Sequence, residues 1–566
     1  MKYFSLSLLS IMILLSACKK DEINTITDTT SGATGGGSSS DTTATTDYDR
    51  TVTVVFSSSD NATVSGTGGN IAASISGNDV TIRNSGDEKV MYRLSGTTGD
   101  GFLKIYSGRK QGITLNSVSI TNSRGAAINV QGLEESPSKG KRVDVVLNGS
   151  STLADGSAYS LTPDSEDEKA AFFSEGQIVF SGSGTLSVNA TGKAGITSDD
   201  WLGFNAGTIQ VSASSGHGVR GKDYILVSGG KLNISVSADG KKGMSSDSLV
   251  CFNGGETTIS ITGNTLVTTE GNTKDTSGTA GIKADQLFEM NDGTLTITNS
   301  GKGGKGISCD GNGYFRGGTV NISVTGTNFG SSSSGGGPGG GHGPGGGGSQ
   351  SDNSVGAKGI KFDGDLFFSG SNVSSSASKH EAIESKGNIV ISDGYIYAYS
   401  SDDAINAASN ITISGGYVCA HSTNNDGIDA NGDMYLSGGL VYAIGSSSPE
   451  EAIDVNINEG GQRHELVVSG GTIIAIGGIS NGFTRSQSCY RTTSWTRNVW
   501  YSLTVGDNTI AFKTPSSGGS GIVFSAPSQP TVKNGVTVEN GTEVLNNMIN
   551  LNATCSGGTT VNLSSY

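Results

Sequence analysis

The stretch "NDGIDANGDMYLSGG", residues 425–439, decides the fold predicted for this chain. It contains a small residue followed by an apolar one, Gly427-Ile428, and then "MYLSGG", which is typical of a strand that ends in a tight glycine turn. Two carboxylates, Asp426 and Asp429, flank the Gly-Ile pair in a chain with only 15% charged residues. Related segments such as "ITISGGYVCA" and "LVVSGGTIIAIG" occur elsewhere, so the stretch is one unit of a repeat.

Each repeat is marked by an apolar residue, the anchor, that follows a Gly or an Ala. Eight of the eleven spacings between successive anchors lie between 22 and 25 residues. The other three, 44, 38 and 53, fit a repeat with an inserted loop or, for the first, a less recognisable repeat. A period of this length, made of short strands with hardly any helical periodicity, predicts an all-β fold, namely a parallel β-helix that winds as a right-handed solenoid. The twelve pairs are Ala127-Ile128, Ala171-Phe172, Gly195-Ile196, Gly218-Val219, Gly243-Met244, Gly281-Ile282, Gly306-Ile307, Gly359-Ile360, Ala382-Ile383, Ala404-Ile405, Gly427-Ile428 and Ala452-Ile453.

Composition divides the chain into four predicted parts. Residues 1–18 contain an apolar run that is too short to span a bilayer and that ends in Leu15-Ser16-Ala17-Cys18, which indicates a lipoprotein signal peptide. Residues 19–49 are polar and predict a flexible tether. Residues 50–480 form the predicted β-helix, with a disordered Gly/Ser loop at about 330–350. Residues 481–566 predict a small C-terminal β module or cap that covers the open edge.

The N-terminal segment is similar to bacterial lipoprotein signals, and that resemblance implies a lipid on Cys18. The following Lys19-Lys20-Asp21-Glu22 is similar to sorting tetrads that direct lipoproteins to the outer face of the outer membrane. We therefore expect an outer membrane lipoprotein exposed at the cell surface, with membrane contact only through that lipid. A plain secretory signal is the alternative.

The net charge and the cysteine content limit the binding partners and the cysteine roles that we expect. The net charge of -15 disfavours nucleic acid and anionic lipid and favours a surface that recruits cations. The six cysteines contain no Cys-x-x-Cys and are widely spread, so we expect small buried core residues in place of metal ligands or disulfides. We expect a monomer that does not bind nucleic acid.

Stacked repeats would place equivalent residues in columns, because neighbouring strands lie roughly 4.8 Å apart. After each turn glycine an aliphatic-then-alanine pattern predicts interior columns, and alternation then turns the residues between them outward. The interior residues are Ile396, Val418, Val441 and Ile473 with Ala398, Ala420, Ala443 and Ala475. The outward residues include Tyr395, Tyr397, Tyr399, Tyr417 and Tyr442.

The same columns collect acid around the last four anchors. Two positions before the anchor stand Glu381, Asp403, Asp426 and Glu451, and one position after it stand Glu384, Asn406, Asp429 and Asp454, with Asp402 and Glu450 beside them. Like charges at that spacing repel by roughly 1 kcal/mol in water and about 3.5 kcal/mol at an effective dielectric of 20. Such a ladder requires raised pKa values or bound cations, and oxygen ligands without His or Cys favour Ca²⁺. A solvated acidic stripe is the alternative.

A resemblance follows from these residues. The motifs "DDAIN", "DGID" and "EEAID", each followed by a strand ending in Ser-Gly-Gly, resemble the bacterial carbohydrate-binding β-helix family over about residues 52–478. The resemblance implies a pectate-lyase-like fold, bound calcium, and binding of acidic plant polysaccharides such as polygalacturonate, and also of cellulose. "NNDGID" is also similar to the calcium segment of a polysaccharide lyase family, which implies Asp426 and Asp429 as ligands with Asp403 nearby, although Asn425 departs from that pattern.

The sequence thus predicts a non-catalytic surface protein whose calcium accepts the carboxylates of an acidic glycan. Exposed Tyr395, Tyr397, Tyr417 and Tyr442 would stack on sugar rings, or pair across strands, and Lys358 and Lys361 would contact substrate. Two alternatives stay open. A calcium-dependent lyase would need a basic residue near the metal, and Lys358, Lys361 and Lys386 precede the best site by a few repeats. A structural, adhesin-like rod is the other.

Overall fold

The structure analysed is a computed structural model that describes residues 47–133, 142–160, 166–270, 273–330, 354–455 and 463–566. The predicted signal peptide with Cys18, the tether up to residue 46 and loop residues 331–350 lie outside these ranges. Within them every regular element is a β-strand, which confirms the all-β prediction. No helix with the length and apolar character needed to cross a membrane occurs in the ranges described.

Most strands belong to one long sheet, in which 27 strands are seen over the described residues. Its neighbours along the chain are mainly parallel, and antiparallel pairs occur near its two ends. The strands of the long sheet are Arg50–Phe56, Thr63–Ser65, Val90–Thr98, Gln111–Asn116, Ser119–Thr121, Val143–Asn148, Ser150–Ala154, Ile178–Gly182, Thr185–Ala190, Trp201–Phe204, Thr208–Ala213, Tyr224–Val227, Lys231–Val236, Leu249–Ile261, Leu287–Asn299, Asn312–Phe315, Thr319–Val324, Leu366–Ala377, Ile389–Ser400, Ile411–Ile413, Tyr417–Ser422, Met434–Ile444, Leu466–Ile476, Thr484–Arg485, Cys489–Thr492, Ile522–Ser525 and Ser564–Ser565.

A second sheet, the ladder sheet, contains the anchors and has 15 strands in the part of the chain that is described. Parallel register aligns each anchor with the next, as in Ile383 with Ile405, Ile405 with Ile428 and Ile428 with Ile453. The strands of the ladder sheet are Ile71–Ser76, Asp79–Asn84, Phe102–Ser107, Ile128–Gln131, Ala170–Ser174, Ala194–Ser198, Val219–Gly221, Lys242–Ser246, Ala280–Ala284, Lys305–Cys309, Lys358–Phe362, Ile383–Ser385, Ile405–Ala407, Ile428–Ala430 and Ile453–Val455.

Two smaller units complete the fold. Leu266–Glu270 and Thr273–Ser277 form an antiparallel pair. A closed barrel is built from four antiparallel strands, Trp500–Val505, Asn508–Lys513, Thr531–Val544 and Ile549–Thr560.

The prediction of an open, right-handed β-helix solenoid is wrong. The all-β fold contains a closed barrel, and the stacked strands end in antiparallel pairs. Near the N-terminus Thr53 lies opposite Ser65, and near the C-terminus Ile473 lies opposite Ser525. The physical reason is that a strand period reports which residues pair within the stack. It does not report how the chain closes the unpaired backbone groups at either end, which edge strands cannot leave open without risk of aggregation.

The interior columns agree with the sequence. All eight predicted aliphatic and alanine positions are fully or almost fully buried in one continuous apolar core. The turn glycines allow successive repeats to approach closely: Gly416, Gly439 and Gly471 have φ of 76°, 74° and 80°. A Cβ on Gly439 would lie 2.6 Å from the carbonyl oxygen of Gly416 in the preceding repeat. The Ser-Gly-Gly signature therefore reflects both left-handed backbone and lack of space.

Four of the five tyrosines predicted to face outward belong to, or pack against, a second apolar cluster with the barrel, and the fifth, Tyr399, is exposed as predicted. Tyr442 is fully buried and Tyr397 is 9% exposed, and their cluster includes Tyr501 and Phe512 of the barrel. The Tyr442 hydroxyl donates to the carbonyl oxygen of Lys513 at 2.9 Å. The prediction that Tyr397 and Tyr442 lie on an open surface is therefore wrong, because the C-terminal strands cover that face.

Four cysteines behave as predicted. Cys251, Cys309, Cys419 and Cys489 are buried, and Cys555 is partly exposed. Over the described residues none of them forms a disulfide.

Candidate functional site

The acidic residues predicted from the repeat lie on and just before four short strands of the ladder sheet. Parallel register brings one column together, with Glu384 beside Asn406, Asn406 beside Asp429 and Asp429 beside Asp454. Because each anchor isoleucine is buried, the residue that follows it is turned away from the apolar core. The column is therefore a direct result of the repeat length.

The last two repeats bring three carboxylates together. Asp426, Asp429 and Asp454 each offer an oxygen, and the three oxygens lie within 4.8 Å of one another. Burial, followed by the charges of Asp454 and Asp429, raises the pKa of Asp426 to about 8, although the backbone N–H of Glu451 opposes the shift. Burial, followed by the charge of Asp454, raises the pKa of Asp429 to about 7. These carboxylates repel one another, so bound protons or a bound cation would stabilise them.

Neighbouring carboxyls extend this group. Asp403 is buried, and burial with the charges of Asp429 and Asp426 holds its pKa well above the ordinary value. Burial and the charge of Asp454 raise the pKa of Glu451 to about 7, and the same two causes raise that of Glu450. We call Asp403, Asp426, Asp429, Glu451 and Asp454 the open cluster. Over the described residues, none of its members forms an ion pair with Lys, Arg or His.

Hydrogen bonds fix the orientation of the open cluster. The backbone N–H of Asp426 donates to Asp403 Oδ1 at 3.1 Å, and that of Glu451 donates to Asp426 Oδ1 at 2.5 Å. Asn406 Nδ2 donates to Asp429 Oδ2 at 2.7 Å, and the Ser480 hydroxyl donates to Asp454 Oδ1. Asp426, Asp429 and Asp454 are thus each held by one oxygen and can turn the other toward a ligand.

In the two preceding repeats, three acidic side chains are instead neutralised by fixed cations. Lys358 Nζ lies 2.6 Å from Glu384 Oε2 and 3.0 Å from Glu381 Oε2. His380 Nδ1 contacts Glu381 and lies 3.1 Å from Asp402 Oδ2. We call these five residues the paired cluster. Three of the predicted metal ligands, Glu381, Glu384 and Asp402, therefore belong to the paired cluster and not to the open cluster.

The pKa directions in the paired cluster follow these contacts. Burial opposes protonation of His380, but hydrogen bonds with Asp402 and Glu381 raise its pKa to about 9. Burial works against ionisation of Glu381 and Asp402, yet the hydrogen bond with His380 holds the pKa of each below its ordinary value. His380, Glu381 and Asp402 also offer ligand atoms within 4.8 Å of one another. A protonated imidazole has no free lone pair on its ring nitrogens, so this set acts as an ion pair.

The columns of acidic residues did not indicate His380 as a partner of the predicted ligands. A usable signal existed, since His380 directly precedes Glu381 and lies one repeat before Asp402. The other predicted contacts are placed as follows. Lys361 Nζ pairs with Asp363 at 2.5 Å. Tyr395 and Tyr417 are partly buried and stacked, with ring centroids 4.7 Å apart.

Similarity to known proteins indicates the family of this chain. A family model described as carbohydrate-binding domain-containing protein matches residues 76–427, more than half of the chain. The chain belongs to this family. A curated family protein from Acetivibrio thermocellus, also described as carbohydrate-binding domain-containing, is 30% identical over 144 residues, which are 25% of this chain and 47% of that protein. The chain thus spans about half the length of the curated relative that it matches.

One solved structure with similarity to this family member is described as the polysaccharide lyase-like protein from C. thermocellum, in a gadolinium derivative. It is 23% identical, and the match covers 48% of this chain and 97% of that one, with a TM-score of 0.38. The family match ends at residue 427, within the open cluster, so Asp429, Glu451 and Asp454 lie beyond it.

Proposed function

We propose that the protein binds an acidic polysaccharide without cleaving it, through Ca²⁺ held by the open cluster. Family membership supports carbohydrate binding in general. The observation that carries the finer statement is the convergence of Asp426, Asp429 and Asp454 within 4.8 Å, with no cationic side chain to neutralise them in the described part of the chain.

The donor set fits a hard divalent cation. Carboxylate oxygens are the ligands that Ca²⁺ prefers, and it accepts six to eight of them in flexible geometry. Asp426, Asp429 and Asp454 would hold the ion, with Asp403 and Glu451 adjacent. The bound ion would supply positive charge and open coordination positions, which would allow uronate carboxylates to approach an acidic surface that otherwise repels them.

Raised pKa values make cation binding compete with protons. The pKa values of Asp426 and Asp429, about 8 and about 7, imply that both carboxyls are partly protonated at neutral pH. Because a divalent ion binds the ionised form, its uptake should release protons. Binding should therefore strengthen as the pH rises from 6 to 8.

The lyase alternative is less well supported by the geometry. A lysine can act as the general base only when it is neutral and near the substrate. Lys358 pairs with Glu381 and Glu384, Lys361 pairs with Asp363, and Lys386 pairs with Glu384. Although burial opposes it, the charges of Glu381 and Glu384 raise the pKa of Lys358, so this lysine stays protonated.

We do not propose that Tyr397 and Tyr442 stack on sugar rings. Tyr442 and Tyr397 contact the barrel cluster in place of solvent. Surface display through a lipid on Cys18 remains part of the proposal, supported by the signal-like segment at residues 1–18.

Affinity electrophoresis in gels containing polygalacturonate tests the proposed function. We expect calcium-dependent retardation that EDTA abolishes and that the double variant Asp426→Asn/Asp454→Asn loses. Glu256→Gln is the matched control, since Glu256 is an exposed carboxylate on the long sheet and pairs with Lys231. Retardation that is equal with calcium and EDTA would contradict the calcium part, and absorbance from unsaturated product would favour a lyase.

A further inference from the structure

The two columns that hold the acids continue toward the N-terminus with basic residues. Register in the ladder sheet places Lys242 beside Ala280, Ala280 beside Lys305 and Lys305 beside Lys358. The neighbouring column carries Lys283, Ser308 and Lys361 in register. One face of the sheet therefore changes from basic to acidic, with Lys358 and Glu381 at the boundary.

Most basic residues on this face of the ladder sheet have a carboxylate partner. Arg220 pairs with Asp247 at 2.8 Å, and Lys283 pairs with Asp310 at 2.5 Å. Lys242 and Lys305 differ. Lys242 Nζ contacts the carbonyl oxygen of Gly240 and the Ser277 hydroxyl, both at 3.1 Å. Over the described residues Lys305 Nζ forms no hydrogen bond or ion pair, and neither lysine meets a carboxylate.

The charges around these two lysines are mainly positive. Burial, followed by the charges of Lys361 and Lys358, lowers the pKa of Lys305 to about 8. Burial, followed by the charges of Lys241 and Lys283, lowers that of Lys242 to about 8. An anion bound between them would offset this repulsion.

The spacing suits an extended anion. Lys242 and Lys305 are two strands apart and so roughly 10 Å from one another along the sheet, with the small side chain of Ala280 between them. From Lys305 to Asp426 the register advances four strands, which is roughly 19 Å. Both distances lie along the same straight face.

We propose that Lys242 and Lys305 form an anion-binding station that takes carboxylates of an acidic polysaccharide directly, without a metal ion. The inference rests on the proposed polysaccharide role but is independent of calcium. One glycan chain would contact lysines at this station and reach the open cluster further along the face. A long polymer then engages both stations and gains affinity by effective concentration, whereas a short oligomer binds either station alone.

Calorimetry in EDTA with a galacturonate trimer, and with the same trimer after reduction of its carboxyl groups, tests the inference. We expect the acidic trimer to bind the wild type and the reduced trimer not to bind. Lys305→Gln with Lys242→Gln should weaken binding by about tenfold, because each charge-assisted contact is replaced by a neutral one. Lys231→Gln, an exposed lysine on the long sheet paired with Glu256, should leave binding unchanged. Thermal melting verifies that the variants fold.

The outcomes separate this inference from the calcium proposal. Asp426→Asn/Asp454→Asn should keep binding of the trimer in EDTA while losing the additional binding that calcium brings. Equal weakening by Lys231→Gln, or binding of the reduced trimer as tightly as the acidic one, would overturn the station. If the lysine variants do not fold, competition by sodium sulfate for the trimer on the wild type decides the matter, and the absence of competition would overturn it.

Discussion

The open and paired clusters lie on neighbouring repeats of the ladder sheet, and the paired cluster contains its own cations. Glu384 and Asp429 occupy equivalent positions two repeats apart. Glu384 contacts Lys358 and is 1% exposed, while Asp429 has an asparagine for a neighbour and a raised pKa. In-register stacking therefore gathers the charges, and one residue in the preceding repeat decides whether the protein or the solvent supplies the counter-ion.

Removing the internal cation should have the largest effect. Lys358→Met removes the buried cation that Glu381 and Glu384 share and leaves them only His380 and Lys386 as partners. We therefore expect a cost of about 3 kcal/mol, the lower end of what breaking a buried pair from one side costs. Urea unfolding in EDTA measures the loss. Lys231→Met, which removes an exposed partner of Glu256, should change the free energy of unfolding by less than about 0.5 kcal/mol. Similar losses in the two variants would remove the distinction between buried and exposed pairs.

The pH dependence of stability should separate the clusters next. In EDTA the raised pKa values of Asp426, Asp429 and Glu451 make the folded state bind more protons than the unfolded state between about pH 4 and 8. Stability should therefore fall by several kcal/mol as the pH rises through that window, because a shift of one pKa unit in one group corresponds to about 1.4 kcal/mol. Asp426→Asn/Asp429→Asn should flatten the profile in thermal melts. A stability that rises with pH in the wild type would contradict the account.

The paired cluster opposes this trend in acid and adds to it in alkali. The low pKa of Glu381 and Asp402 gives stability that is lost in acid, and the raised pKa of His380 gives stability that is lost as the pH rises from about 6.5 to about 9. In thermal melts His380→Gln should reduce the slope in that alkaline range and leave the slope of the open cluster below it unchanged.

Asn406 lies between the clusters and offers a smaller test. Its amide donates to Asp429 at 2.7 Å and to Asp403 at 3.4 Å. Asn406→Asp removes these donors and adds a charge, so we expect a loss of about 2 kcal/mol in EDTA that excess calcium restores. Asn406→Leu should show the loss without the recovery. Equal behaviour of the two variants with calcium would count against a cation at this position.

The smallest effect should come from the covered tyrosine face. Tyr442→Phe removes the hydroxyl that donates to Lys513 and should cost about 1 kcal/mol of stability. Because that face lies against the barrel cluster and away from the ladder, retardation by polygalacturonate should not change. A loss of retardation at full stability would return the tyrosines to the binding surface.

How far the sequence could lead is visible in particular residues. The repeat length correctly predicts that Ile428 pairs with Ile453 and that Val418 and Ala420 are buried, because both follow from strand spacing and alternation. A C-terminal module was expected where the periodic signal ends, but the way in which it closes the chain could not be predicted, since no periodic signal describes its packing. The burial of Tyr442 follows from that closure and was missed for the same reason.

The candidate site was predicted in outline only. The columns place Asp426 and Asp454 together, but they contain no information on side-chain reach, and reach is what brings His380 to Asp402 and Lys358 to two glutamates. The same limit hid the unpaired lysines, because Lys242 and Lys305 have the same sequence context as the paired Lys358.

Calcium binding by the open cluster is tested by calorimetric titration of the wild type with CaCl₂, carried out in two buffers of different ionisation enthalpy. We expect saturable uptake with release of protons near pH 7, and loss of both in Asp426→Asn/Asp454→Asn but not in Glu256→Gln. No measurable uptake by the wild type, or equal uptake by the double variant, would contradict it.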